Sequence, residues 1–349
     1  YSEVYNISFL DPYATKDGVS LGYNLYFRET DYGEFNVANY LTNSNGLGVQ
    51  FGYPISDITR LNFNLTYDKT DIDIGTLPAR EIYDFVAAEG NVFETLSLGF
   101  TWQRVTLNRG LFPTDGSSTS FTLTSTIPGS DINYYRANIR QRFYQPLSSQ
   151  LVFGFQGELG YLDAYGETDE TPFFQNFYAG GPRSLRGFES NTLGPRSTNA
   201  PCYEFNYDDG TCPNLIDTDG DGELDSPYYN PYATTNEYSS RSRYRDPPIG
   251  GNIKIEGSLQ LIFRLPFIED QRSLRSAFFF DFGNVFSDNC KEYQFNCYKP
   301  SIDDLRYSYG VGVTWITGFG PMSLAIAKPT NAGPQERTEE FQFTVGNVF

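Results

Sequence analysis

Residues 253–265 read Ile-Lys-Ile-Glu-Gly-Ser-Leu-Gln-Leu-Ile-Phe-Arg-Leu, and the alternation in that stretch decides the fold class. Ile253, Ile255, Leu259, Leu261, Phe263 and Leu265 share one parity, while Lys254, Glu256, Ser258, Gln260 and Arg264 share the other. Successive side chains leave a strand on opposite faces, so a period of two makes one apolar and one polar face.

The pattern recurs in both directions. Val19, Leu21, Tyr23, Leu25 and Phe27 alternate with Ser20, Gly22, Asn24, Tyr26 and Arg28; Leu61, Phe63, Leu65 and Tyr67 alternate with Asn62, Asn64, Thr66 and Asp68. Tyr135, Ala137, Ile139 and Phe143 stand opposite Arg136, Asn138, Arg140 and Arg142. Counting such segments along the chain gives about 14 strands, an even number of the kind that single-chain bacterial barrels favour. Apolar runs are too short for a transmembrane helix, and a mean hydropathy of -0.44 conceals a barrel whose apolar residues occupy every second position.

Three features favour a membrane barrel over a soluble sandwich. Turns are short on one side, near residues 56–57, 147–149 and 269–271, and long and acidic on the other. Aromatic residues such as Tyr53, Tyr67, Tyr144 and Tyr161 sit near strand ends, as in an interfacial girdle. The last alternating run, Phe341, Phe343, Val345 and Phe349, ends on an aromatic residue. The expectation is an all-β fold, a closed antiparallel transmembrane β-barrel.

The 349 residues carry 25 basic and 43 acidic side chains, a net charge of -18, which disfavours a nucleic-acid partner. With no histidine, Ser-His-Asp and Cys-His catalysis and His-ligated zinc are excluded, and no enzyme activity is expected. Of the four cysteines, Cys202 lies near Cys212 and Cys290 near Cys297; four thiols allow three connectivities, and two local disulfides in an oxidising compartment are the natural pairing. No signal peptide precedes Tyr1, which suggests a mature or truncated chain.

A long connection runs through residues 181–250, and loops of such length are usually functional. Within it, Asp217, Asp219, Asp221 and Asp225, with Gly222 at the sixth position, match the start of an EF-hand-type calcium loop. Tyr228 replaces the closing glutamate and no flanking helices are evident, so an acidic hydrated turn is the plainer reading and bound calcium the alternative. No cofactor is otherwise required.

The same connection opens with Leu185-Arg186-Gly187-Phe188, which resembles the V-R-G-F/Y signature of the outer-membrane assembly superfamily of insertases and secretion translocators. Stretches at 110–116, 126–131, 174–181, 190–195 and 340–346 extend the likeness, strongest to the insertase branch, along the whole chain. The resemblance implies that this sixth loop folds back into the barrel, part in the lumen and part extracellular, and that Arg186 pairs with carboxylates on the inner wall. Asp281 matches one family partner. Gln260 stands where the family has a glutamate, and Glu256 on the same face is the candidate replacement.

The family barrel has about sixteen strands, and this chain would supply the third to the sixteenth. The first two strands and the periplasmic POTRA domains are expected to lie outside the sequence. A weak seam would fall between the first and last strands, with Asn6 and Ser8 on one side and Gly346 and Phe349 on the other. The implied activity is folding and insertion of other β-barrel proteins into the bacterial outer membrane. The implied partners are client barrel precursors, accessory lipoproteins of the assembly machinery, and outer-membrane lipids including lipopolysaccharide. A TamA-like protein or a two-partner secretion translocator of the same superfamily, or a passive channel, is the alternative.

Overall fold

The computed structural model describes residues 2–33, 37–38, 40–74, 78–198, 247–265, 268, 273–291, 294, 297–318, 320–333 and 336–346. In chain order the strands are β1 (Ser2–Asp11), β2 (Ser20–Asp31), β3 (Leu41–Ser56), β4 (Thr59–Asp73), β5 (Val92–Val105), β6 (Gly116–Thr126), β7 (Tyr134–Pro146) and β8 (Leu151–Ala164). There follow β9 (Gly187–Phe188), β10 (Ile253–Phe263), β11 (Leu274–Phe286), β12 (Arg306–Thr317), β13 (Gly320–Pro329), β14 (Thr338–Glu339) and β15 (Phe341–Val345). One helix, α1 (Arg80–Glu89), stands between β4 and β5.

Thirteen strands form one sheet in chain order, while β9 and β14 pair only with each other. The sheet therefore has one strand fewer than alternation suggested, because alternation marks faces and not the points at which one strand stops. Among the described residues β1 pairs with β2 alone and β15 with β13 alone, so no pair joining the first and last strands is described. Closure depends on a register between the first and last strands, and alternation within either strand carries no record of it.

The two faces are inverted relative to a soluble sheet. Tyr23, Phe27, Phe278 and Phe343 point outward at 50%, 54%, 53% and 51% exposure, while Asp281 and Ser308 on the other parity are fully buried. Exposed apolar side chains at alternate positions of most of the long strands make a surface suited to lipid. No helix among the described residues is long and apolar enough to cross a membrane.

Connections at one end of the sheet are tight, as at residues 57–58 and 147–150, whereas those at the other end build a crown with its own core. Tyr40, Ile82, Phe85, Phe93, Phe173, Phe177, Leu185, Phe188, Leu193 and Val285 are buried together there. The rings meet edge-on, Tyr40 to Phe173 at 4.8 Å and Phe85 to Phe173 at 5.3 Å, the geometry that aromatic quadrupoles favour. Helix α1 forms because Ile82 and Phe85 fall on one face and enter this core, and its first turn is tied to the long loop by Arg80 N–H donating to the Thr198 carbonyl at 3.0 Å. Cys290 and Cys297 form the local disulfide at the crown's edge, with their Cα atoms 5.7 Å apart. Cys202, Cys212 and the four aspartates at 217, 219, 221 and 225 lie outside the described residues.

Candidate functional site

Register places the site. In the β10–β11 ladder Ser258 stands opposite Asp281, Gln260 opposite Phe279 and Glu256 opposite Gly283. All share the inward parity, so Asp281, Ser258 and Phe279 converge on one spot of the inner face.

Into that spot the long connection inserts Arg186. Its Nε donates to Asp281 Oδ2 and its Nη2 to Asp281 Oδ1, both at 2.7 Å, a two-pronged contact that fits guanidinium to carboxylate. The Arg186 backbone N–H adds a bond to Oδ2 at 3.2 Å, and Nη2 also donates to Ser258 Oγ at 3.0 Å. Beneath it lies the Phe279 ring, whose centroid is 3.5 Å from the guanidinium carbon. Both members of the ion pair are buried, at 4% and 0% exposure. Burial of two charges is tolerated here because nearly every polar direction finds a partner.

Gly187 turns the chain beside this pair. Its φ of +90° is a left-handed conformation, and an added Cβ would stand 3.1 Å from the Cβ of Ala327. Gly187 and Phe188 then pair as β9 with β14, while the Gln342 amide on β15 accepts from Gly187 N–H at 3.3 Å and donates to the Phe188 carbonyl at 2.8 Å. Glu189 N–H donates to the Arg337 carbonyl at 3.0 Å, and Arg337 N–H to Thr192 Oγ1 at 3.0 Å. Leu185 and Phe188 are fully buried in the crown core. The tetrad thus joins β11 on one side to the final strands on the other.

The carboxylate of Glu256 lies elsewhere. It accepts from the Ser184 hydroxyl and pairs with Lys254 Nζ at 3.0 Å, because a step of two residues along β10 carries it past Asp281 towards the loop's entry. Gln260 meets Ser258 Oγ at 3.3 Å and takes a bond from Arg275 at 3.3 Å. The described second acceptor of Arg186 is therefore a hydroxyl, and Ser258, Phe279 and Gln342 are site residues that sequence reasoning missed. Inward parity was their only signal.

Of the residues expected at the seam, Asn6 and Ser8 stand opposite Tyr26 and Asn24 of β2, and among the described residues no pair joins the other edge of β1 to β15. Gly346 follows β15 with a φ of +83° and donates its N–H to the Pro321 carbonyl at 2.7 Å. Phe349 lies outside the described residues. In the crown, Glu81 accepts at both carboxylate oxygens from Thr198 N–H at 3.0 Å; burial raises its pKa, and those hydrogen bonds only partly oppose the rise.

The family model of the Omp85 superfamily domain matches residues 1–349, the whole of the chain. The chain belongs to the Omp85 superfamily. It is 31% identical, over 99% of its length and 41% of the relative's, to the outer membrane protein assembly factor BamA of Neisseria meningitidis serogroup B. A crystal structure of BamA from Haemophilus ducreyi lacking POTRA domains 1–3 superimposes with a TM-score of 0.77 at 28% identity, covering 99% of this chain and 62% of that one. CdiB of Escherichia coli matches at a TM-score of 0.52 and 9% identity over 98% of this chain and 52% of its own, a likeness of fold alone. The chain thus spans less than two thirds of these relatives. Membership of Omp85, together with the outward apolar face, makes it a β-barrel protein of the bacterial outer membrane, as the alternation implied.

Proposed function

We propose that this Omp85 chain is the membrane part of an insertase that folds client β-barrel precursors into the outer membrane by templating strands at a lateral seam. In lipid an unpaired backbone donor or acceptor is prohibitively costly, so a client strand enters most easily by adding to an edge already presented there. The edge of β1 and the five paired residues of β15 are where such an exchange would occur.

What carries the proposal is the seating of Arg186 on Asp281 while Gln342 ties the same loop to β15. A passive channel has no need to fix a loop arginine on one wall and couple it to the last strand. Accessory BAM lipoproteins and outer-membrane lipids, including lipopolysaccharide, are the expected partners, and the mechanism invokes no cofactor.

The test is client insertion into liposomes by the full-length protein and its R186A variant. The expected result is at least a tenfold slower insertion by a variant that still resists unfolding as a barrel. Unchanged insertion removes the tetrad from the mechanism. Insertion by neither protein rejects the insertase in favour of a secretion translocator or a channel.

A further inference from the structure

The inward row of β7 remains unexplained by the loop's docking. Arg140 and Arg142 lie on it near the tight-turn end, and Arg183, three residues before the buried arginine, faces them across a cavity of about 440 Å3. The carboxylates nearby are already engaged. Glu158 takes Arg140 at 3.1 Å and Lys254 at 3.8 Å, and Glu256 takes Lys254 at 3.0 Å. The guanidinium groups of Arg142 and Arg183 are exposed and have no partner among the described residues. In a chain of net charge -18 this is a local reversal of sign inside the sheet's polar face.

We infer that this cavity binds an extended acidic polypeptide segment, one carrying carboxylates at alternate positions. Two residues of strand advance about 7 Å, so Arg142 and Arg140, whose side chain stays 65% exposed while paired with Glu158, repeat at the same interval as the side chains on one face of an extended peptide. Arg183 meets the segment from the opposite wall. The Gln103 amide and the Ser120 hydroxyl, which line the same space without a described side-chain partner, suit the segment's backbone. The site does not depend on the insertase proposal, and its readout is binding alone.

The experiment uses the full-length protein in detergent micelles and fluorescence anisotropy of two labelled peptides, one alternating aspartate with serine and the other asparagine with serine. The acidic peptide is expected to bind about tenfold tighter, the sum of two exposed charge-assisted contacts. The preference should shrink as ionic strength passes about 0.15 M, where the screening length falls to roughly 8 Å. R142Q/R183Q should abolish it, and Lys69→Gln, at the far end of the sheet, should not. Equal binding of the two peptides, preference retained by R142Q/R183Q, or binding of pyrophosphate with neither peptide bound would each overturn the site. The peptide comparison and the salt series on the unmodified protein decide the matter even if the double variant fails to fold.

Discussion

Replacing Asp281 by asparagine keeps the shape of the side chain and removes its charge, which leaves Arg186 buried against a neutral amide. The native carboxylate accepts from Arg186 Nε and Nη2 at 2.7 Å and from the backbone N–H at 3.2 Å, and it is fully buried. Breaking one side of such a pair costs about 3–5 kcal/mol, because the surviving charge has no compensation. Converted at about 1.4 kcal/mol per factor of ten, that is roughly two to three and a half orders of magnitude in the equilibrium between seated and unseated loop.

Hydrogen exchange reports this directly. The Gly187 and Leu193 amides, which donate to Gln342 and to the Ala179 carbonyl, should lose protection by that factor in D281N and equally in R186A. The pair R186M/D281L, with both charges gone, should recover most of the loss, giving a coupling of at least about 2 kcal/mol. Loss of less than tenfold in the single variants, or additivity in the double, would refute the claim that this ion pair holds the loop.

Other substitutions separate neighbouring causes. Gly187→Ala, which combines a φ of +90° with a 3.1 Å contact, should weaken loop docking by about 2 kcal/mol in the same exchange measurement. Gly346→Ala, where φ is +83° but the space is open, should lower thermal stability by only about 1 kcal/mol. Gln342→Leu strands the Gly187 N–H and the Phe188 carbonyl and should cost about 1–3 kcal/mol, read as faster exchange in residues 187–188 and 341–345. Glu81, whose folded pKa lies above its ordinary value, opposes folding at neutral pH, and the penalty fades as pH falls through that raised value. Glu81→Gln should therefore stabilise the crown near pH 7 and flatten its pH dependence in thermal unfolding, whereas an unchanged profile would sink the assignment.

The strands were legible because a lipid-facing sheet writes its two environments into alternate positions, as at residues 253–263 and 278–282. Asp281 came from the family resemblance, and its parity agrees, since Phe278 and Phe280 before it on the strand turn outward. The partners of Arg186 were less legible. Glu256, Ser258 and Gln260 share a face, and only the register against β11 sets the hydroxyl of Ser258, not either longer side chain, opposite Asp281. Register is a relation between segments, so no single segment states it. Helix α1 and the β9–β14 ribbon escaped notice for the same reason: the ten residues of the helix and the two of each ribbon strand owe their shape to packing in the crown rather than to a local period.

That crown has a kinetic consequence. Its buried side chains come from positions as far apart as Val37 and Val285, and all lie at the end of the sheet where the long connections emerge. A cluster with such sequence separation forms only after most hairpins have crossed the membrane. Once formed, it buries apolar surface that a retreating hairpin would have to return to water. The crown is therefore a topological latch: it contributes little while strands are being threaded, and afterwards it makes each crossing hard to reverse.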